Sequence, residues 1–279
     1  MRNRIKWLAF VLSICAMGIV TMSAPVRSNL GGDGSELSSE EQENPYITDG
    51  LIAHWDGIWN TGIGLHDPDA TVWKDLAGIQ GDMPIPQTLS VGDDSLYTVS
   101  RKVIDMKNHV SPALADAINS STITVEFVGR MFCEENYLDP IMSVFKDTSC
   151  RPLTILAVNA NSGLWRRCRA SLRSVDGSFV GSSATVWKKG GARASLSLIW
   201  DGETMNQFIN GTYDWTGSRV QYESANATTR MYLRLLGIPT NTTGSDLEVC
   251  RISIYGRALT DDEILHNHEI DRERFGIGL

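Results

Sequence analysis

The chain has little positive charge for its length. Its 279 residues carry 25 Lys and Arg against 33 Asp and Glu, a formal net charge of −8. The first 28 residues hold four of the basic residues and no acid, so the remainder has 21 against 33, a net of −12. Nucleic-acid binding depends on a basic face that displaces counterions from phosphates. The composition therefore argues against a nucleic-acid partner, and we interpret the basic group at residues 165–169 as an exposed strand.

Several motifs of catalysis and metal binding are missing. The sequence contains no C-x-x-C pair with a histidine at ligand spacing and no G-x-S-x-G. Four cysteines follow the first 28 residues: Cys133, Cys150, Cys168 and Cys250. In an oxidising compartment they permit two disulfides with three connectivities, between which the sequence does not choose. For Cys168 and Cys250 the alternative is a buried thiol in a strand.

The N-terminal apolar stretch, Trp7 to Val20, is shorter than the roughly 20 residues of a transmembrane helix. Basic residues precede it and small residues follow it, which is the plan of a secretory signal peptide. We therefore predict a signal peptide at residues 1–28 and an extracellular or cell-surface location. The membrane remains open as a partner only through an uncleaved or lipidated N-terminus, for which Cys15 is the candidate.

Two further segments follow the signal peptide. Residues 29–47 are polar and acidic with few apolar side chains, and such a segment cannot offset the entropy of ordering. We predict a flexible acidic tether there. Residues 48–279 are predicted to form one domain.

The clearest hairpin of that domain lies in residues 194–211. Apolar residues occupy alternate positions up to Trp200, a turn follows at Asp201-Gly202, and a second strand leads to Asn210-Gly211, a pair suited to a tight turn. Similar alternation predicts about a dozen antiparallel strands, which favours two packed sheets. The strands predicted with the clearest pattern are 51–56, 122–130, 153–159 and 247–255.

Two details of this pattern are open to a structural test. Apolar positions change parity between Val249 and Cys250, which predicts a bulge or a strand buried on both faces. Thr260 and Glu263 form a capping box, which predicts a helix to about Arg274. We expect Ile264, Leu265 and His268 to form its apolar side.

The two ends of the domain resemble the laminin G-like members of the concanavalin A-like lectin/glucanase superfamily. The resemblance is carried by GLIAHWDG and WKDLAG near the front, by the FING hairpin, and by VCRISIYGRALTDDEI before the last helix. It implies an all-β fold, a two-sheet antiparallel jelly-roll sandwich with a short C-terminal helix. It also implies a secreted or surface-attached protein that binds glycans or other proteins, in some members with calcium at the rim.

The resemblance does not extend to an active site. Retaining glucanases of the superfamily carry Glu-x-Asp-x-x-Glu or Glu-x-Asp-x-Glu on one strand, and this chain has neither. The nearest substitute is Asp246 with Glu248, two positions apart and thus on one face of a strand, as an acid and a nucleophile about 5 Å apart would require. The missing third carboxylate favours a protein that is not an enzyme.

Candidate ligand-binding residues come from the aromatic and polar loops. Sugar rings stack on aromatic faces while polar neighbours bind hydroxyl groups. Three tryptophans in phase with core residues, Trp55, Trp73 and Trp200, are interpreted as packing. The candidate site residues beside glycines or on the long loop after the first strand are Trp59, His66, Asp67, Trp165 and Trp215.

The segment His66-Asp67-Pro68-Asp69 is oxygen-rich, as calcium sites are, but a turn with a side-chain cap is the interpretation that we prefer. Calcium is therefore a possible cofactor only, and no other is predicted. The sequence favours a non-catalytic, lectin-like carbohydrate-binding domain. The alternatives are a protein-binding adhesion or structural module and a glycan-cleaving enzyme.

Overall fold

The computed structural model describes residues 42–98, 106–131, 139–147, 150–159, 165–173, 181–188, 191–218, 225–236 and 247–278. Two large antiparallel sheets pack around a shared apolar core. The fold is therefore an all-β jelly-roll sandwich with a short C-terminal helix, as the sequence predicted.

The first sheet, called sheet I, has eight strands. They are β1 (Leu51–Asp56), β4 (Leu89–Val91), β5 (Leu96–Thr98), β7 (Thr122–Met131), β12 (Ala194–Asp201), β13 (Thr204–Ile209), β14 (Thr212–Ser218) and β16 (Leu247–Tyr255). Their order is β14-β13-β12-β7-β16-β5-β4, and β1 also pairs with β16.

The second sheet, called sheet II, has six strands. They are β6 (Met106–His109), β8 (Asp139–Phe145), β9 (Leu153–Asn159), β10 (Trp165–Leu172), β11 (Gly181–Lys188) and β15 (Tyr232–Leu235), in the order β11-β10-β9-β8-β15-β6. A small sheet pairs β2 (Val72–Trp73) with β3 (Met83–Pro84), and the helices are α1 (Pro112–Ser120) and α2 (Asp261–Phe275).

The predicted hairpin is confirmed and extends further than predicted. Strands β12 and β13 pair from Leu196 with Ile209 to Trp200 with Met205. Asn210 and Gly211 both have positive φ, 49° and 69°, as a type I′ turn requires. The chain then returns as β14, a strand that the sequence analysis did not include.

The change of parity in β16 predicted either a bulge or a strand buried on both faces, and the structure has both. All nine of its residues are buried. Its register with β7 shifts between Val249 and Arg251, so Cys250 is the extra residue of a bulge. Val249 faces the core between the sheets, whereas Cys250 packs with Phe275 at the end of α2.

Helix α2 lies on the outer face of sheet I. The predicted capping box between Thr260 and Glu263 is present. The predicted apolar side was wrong in part, because Leu265 is 46% exposed while Asn267 and Asp271 are buried. The helix meets a polar surface of the sheet, so the side that it buries is itself partly polar.

A polar layer joins the sheet to the helix, with Arg251 at its centre. The Arg251 guanidinium donates to both carboxylate oxygens of Asp271, at 2.7 and 2.6 Å, and to Glu126 Oε2 at 2.9 Å. Asn267 donates to the same oxygen of Glu126 at 3.0 Å. Burial raises the pKa of Asp271 to about 6, and the charge of Arg251 opposes that rise.

His54 is a second buried member of the polar layer. His54 Nδ1 shares a hydrogen bond of 2.8 Å with Ser253 Oγ, which also accepts from Arg251. His54 Nε2 lies 3.8 Å from Asp56 Oδ2. Burial, aided by the charges of Arg251 and Arg274, lowers the pKa of His54 well below its usual value.

His54 and Asp271 are expected to give stability opposite dependences on pH. Unfolded histidine gains a proton below about pH 6.5 and buried His54 does not, so the fold loses about 1.4 kcal/mol per pH unit below that point. Asp271 has a raised pKa in the fold, so its contribution becomes more favourable as pH falls through about 6. Removing His54 by His54→Gln leaves the Asp271 effect alone.

We therefore expect the free energy of unfolding of His54→Gln to rise relative to that of the wild type by about 2 kcal/mol between pH 7 and pH 5. Urea titrations at several pH values measure this difference. Parallel pH profiles for the two proteins would contradict it.

The domain begins within the segment predicted as a tether. Positions 29–41 of that segment, and the predicted signal peptide, lie outside the described residues. Tyr46 is 3% exposed and its hydroxyl donates to Asp271 at 3.0 Å. The Ile47 N–H donates to Asn267 Oδ1 at 3.1 Å. Residues 46–47 therefore pack on α2, where the hydroxyl group of Tyr46 has a buried hydrogen-bond partner in Asp271.

Two further features bear on the sequence expectations. Cys150 and Cys250 are free thiols, Cys168 is buried, and Cys133 lies outside the described residues. No disulfide joins the three described cysteines, so the two-disulfide alternative was wrong. Cys168 faces the core of the sandwich and Cys250 faces α2, as the buried-thiol alternative predicted. Across the described part of the chain, neither helix combines the length and the apolar character that a bilayer crossing needs.

Candidate functional site

The structure shows that the side chain of Trp59, a predicted ligand-binding residue, is buried. Trp59 is 6% exposed, and the Arg274 guanidinium carbon lies 3.9 Å from its ring centroid. Its backbone N–H donates to Asp56 Oδ1 at 3.0 Å. The ring is covered by the end of α2 and has no free face on which a sugar could stack, which the neighbouring glycines in the sequence could not reveal.

His66 and Asp67 are exposed on the same loop, but Asp67 has a structural role. Asn60 closes the loop by donating to the Asp67 carbonyl at 2.7 Å and accepting the Asp67 N–H at 2.8 Å. Asp67 Oδ1 accepts the Asp69 N–H at 2.9 Å. This is the turn with a side-chain cap. Within the described ranges, no group of three or more His, Cys, Asp or Glu side chains is placed to hold a metal ion.

The WKDLAG segment is held by one buried carboxylate. Asp75 is 2% exposed and accepts four backbone N–H groups, those of His54, Ala77, Ile79 and Gly81, at 2.8 to 3.1 Å. The indole N–H of Trp73 donates to the Asp56 carbonyl at 2.9 Å. The segment therefore fixes the loop against the edge of β1, and its residues serve packing rather than binding.

The remaining candidates, Trp165 and Trp215, lie in strands. Trp165 begins β10 and is paired with Lys188 of β11; its side chain is outside what the structure describes. Trp215 is half-buried in β14, the edge strand of sheet I, and packs against the core. Strands β1 and β14 are five strand spacings apart, about 24 Å. The structure thus does not bring Trp215 together with His66 and Asp67.

A bulge in β14 places two side chains beside Trp215. Gln207 pairs with Trp215 and Phe208 pairs with Tyr213, so Asp214 is the extra residue. The bulge turns Asp214 toward Gln207, whose amide Nε2 donates to Asp214 Oδ2 at 3.2 Å. A Cβ on Gly217 would overlap the six-membered ring of Trp215, so glycine allows the indole to lie flat along its own strand. We call Gln207, Asp214 and Trp215 the edge site.

Gln207 has an unsatisfied acceptor in the edge site. The residue is 0% exposed, and its Oε1 has no hydrogen-bond partner among the described residues. Because Asp214 is a carboxylate, the amide nitrogen must be the atom that faces it, which leaves the amide oxygen pointing away. A buried acceptor without a partner costs about 1–3 kcal/mol, so its presence requires an explanation.

Neither Gln207 nor Asp214 was a candidate from the sequence. One signal was available: an Asn-Gly hairpin turn must be followed by a partner strand, which places residues 212–218 opposite β13. The bulge, which brings Asp214 to the same side as Gln207, depends on cross-strand register and leaves no pattern in the sequence.

Glu248, the carboxylate considered for catalysis, is held by two arginines. Arg193 donates to its Oε1 at 2.6 Å, and Arg130 forms a second ion pair. Burial raises the pKa of Glu248, but the hydrogen bond and charge of Arg193 outweigh burial and lower it below the usual value. A carboxylate with a lowered pKa is a poor general acid. Asp246, its proposed partner, lies outside the described residues.

Ser253, His54 and Asp56 form a constellation that looks catalytic and is not accessible. Each of the three is 0% exposed beneath α2. The Ser253 oxygen also accepts a hydrogen bond from Arg251, which lowers its nucleophilicity. The arrangement therefore belongs to the polar layer and has no route to a substrate.

Comparison with known proteins identifies the class of fold. The fold is shared with Trypanosoma rangeli sialidase in complex with sialic acid (TM-score 0.57, 12% identity, 81% of this chain and 33% of that chain). It is shared equally with the binding domain of botulinum neurotoxin serotype D (TM-score 0.56, 11% identity, 80% of this chain and 52% of that chain).

The chain thus spans about a third of the sialidase and about half of the toxin domain. No family model matches the sequence, and no curated protein does. At this identity the likeness defines a jelly-roll sandwich and leaves the activity to the residues of this chain.

Proposed function

We propose that the chain is an exported, non-catalytic glycan-binding domain of the laminin G-like type, extracellular or at the cell surface. The observation that carries the proposal is the edge site. It combines an aromatic face with a partly exposed carboxylate, and sugars offer apolar ring faces and many hydroxyl donors. The solved structures that share the fold include a sialidase bound to sialic acid, which is in keeping with a glycan ligand.

The edge site is placed where the two sheets approach each other. Strand β11 of sheet II lies against β13 and β14. In the bound state we expect one sugar ring to stack on Trp215 while a hydroxyl group donates to Asp214. Neutral sugars satisfy this pattern, because the carboxylate accepts a hydrogen bond from a hydroxyl group.

The test is binding of the full chain to a panel of neutral polysaccharides, by gel retardation and calorimetry. Trp215→Ala is expected to weaken binding at least about tenfold, since lost stacking and buried area amount to about 1.4 kcal/mol or more. Asp214→Ala should also weaken binding, because it removes the acceptor of the hydroxyl contact.

The matched control is Tyr97→Ala, which removes a 42% exposed aromatic side chain from β5, next to the edge strand at the other end of sheet I. It should leave binding unchanged. If no polysaccharide is retained by the wild type, or if Trp215→Ala binds as well as the wild type does, the proposal is wrong.

A further inference from the structure

The carboxylate of Asp214 carries a charge that no described side chain neutralises. Asp214 is half-buried, and its Oδ2 accepts one hydrogen bond, from the neutral amide of Gln207 at 3.2 Å. Within the described ranges, no lysine, arginine or histidine forms an ion pair with it. A charge that is partly removed from water without a counter-ion is unfavourable. The carboxylate can therefore accept a cation from outside the chain.

Other enclosed carboxylates differ from Asp214 in this respect. Among the buried and half-buried acids whose side chains the structure describes, Asp82 pairs with Lys74, and Asp75 accepts four backbone N–H groups. The remaining ones pair with an arginine: Asp56, Asp94, Glu126, Glu248, Glu263 and Asp271. The fold thus compensates its enclosed acids where they serve stability. The uncompensated carboxylate of Asp214 indicates a role in binding.

An indole ring lies beside this carboxylate. Gln207 pairs with Trp215 across the strands and donates to Asp214, so the two side chains are neighbours on β14. The ring of Trp215 is half-buried and lies along its own strand over Gly217. An indole face attracts cations through its negative quadrupole, and it also stacks on the C–H face of a sugar. The pair is therefore suited to a positive charge carried on a sugar ring.

An amino sugar has the properties that this pair requires. Glucosamine offers an apolar ring face, hydroxyl groups, and an ammonium group attached directly to a ring carbon. A ring stacked on Trp215 can therefore present its ammonium group to the adjacent Asp214. A hydrogen bond from a charged donor to a carboxylate is shorter and stronger than one from a hydroxyl group. Acetylation of the amino group removes the charge, and an acidic sugar would be repelled by the carboxylate.

We propose that the edge site selects sugars with a free ammonium group, such as the glucosamine units of a deacetylated chitin-type polymer. This inference rests on the glycan-binding function proposed above and specifies its ligand class. The net charge of −8 attracts a cationic polymer over distances longer than those of direct contacts. A lysine-rich peptide also carries ammonium groups, but lysine has no ring to stack on Trp215, so the indole favours a sugar.

The experiment compares the affinities of the full chain for oligomers of glucosamine and of N-acetylglucosamine of equal length, by calorimetry. At about pH 5.5 the free amino groups carry their protons, and about 0.15 M salt screens the attraction between distant charges. The wild type is expected to bind the glucosamine oligomer at least about tenfold more tightly than the acetylated one. Trp215→Ala should weaken the binding of both oligomers, because both stack on the indole.

A matched pair of variants tests the charge. Asp214→Asn keeps the size of the side chain and removes its charge, so the ratio of the two affinities should fall below about twofold. Glu203→Gln removes the same charge from an exposed side chain in the turn between β12 and β13, and it should leave the ratio unchanged. An oligolysine of equal charge should bind the wild type at least about tenfold more weakly than the glucosamine oligomer does.

Three results would overturn the inference: equal affinities of the wild type for the two sugar oligomers, an undiminished preference in Asp214→Asn, or oligolysine binding as tight as that of the glucosamine oligomer. The last result would show that the site recognises an ammonium group without its ring. None of the three contradicts the glycan-binding proposal, which the panel of neutral polysaccharides tests without any amino group. The two proposals therefore fail separately.

Discussion

Replacement of Arg251 by methionine is expected to destabilise the protein by about 3–5 kcal/mol, because it leaves two buried carboxylates without their counter-ion. Arg251 is 1% exposed, pairs with both oxygens of Asp271 and with Glu126, and lies 4.5 Å from the Tyr46 ring centroid. Its loss should release α2 and the N-terminal residues together. Urea unfolding followed by tryptophan fluorescence measures the change.

The control is Arg272→Met on the exposed side of α2, for which we expect a change within about 0.5 kcal/mol. Combining Arg251→Met with Glu126→Leu and Asp271→Leu should recover part of the loss, because a buried ion network can be replaced by apolar side chains. Equal midpoints for the two single variants would show that the buried network contributes nothing.

Asp75→Ala is expected to cost about 3 kcal/mol, since four backbone N–H groups lose a charged acceptor at once. The side chain is almost fully enclosed, so water cannot replace it without opening the loop. We expect a lower urea midpoint and faster amide hydrogen exchange at Ala77, Ile79 and Gly81. These three donors give a local readout that a general loss of stability would not.

Asp69→Ala is the matched control, because Asp69 is exposed on the neighbouring loop. It should leave both the midpoint and the exchange rates unchanged. Asp75→Asn should be intermediate, as one of its two acceptor oxygens is replaced by a donor. An unchanged exchange rate at Gly81 in Asp75→Ala would argue against the role assigned to this carboxylate.

The sequence predicted the sheets well wherever one face of a strand meets the core. In β7, Ile123 and Val125 alternate with Thr124 and Glu126, and the structure buries the first pair in the sandwich. The bulge in β16 and the capping box of α2 could also be predicted from the sequence, because each depends on residues that are close together in the chain. Bounds predicted at 51–56, 153–159 and 247–255 agree with the structure.

Prediction failed where an interface is polar. An apolar stripe is the signal of a packed helix, but α2 packs through Asn267 and Asp271, so Leu265 was assigned to the wrong side. The prediction that Trp59 binds a ligand failed for a similar reason. Its loop has the glycine and polar residues of a surface site, but Arg274 covers its ring. A charged side chain that covers an aromatic ring from another element leaves no trace in local sequence.

The candidate sites show the same limit. Trp215 could be predicted as a residue of interest, but its partners could not, because a bulge selects Asp214 and cross-strand pairing selects Gln207. Register, which the sequence specifies only through the whole fold, decides which side chains meet.

The position of Tyr46 has a consequence for how the domain is displayed. Because Tyr46 is fixed beneath α2, the chain enters on the side opposite to the outer face of sheet II. A partner or support joined through the segment before Tyr46 would therefore be linked to the domain at α2.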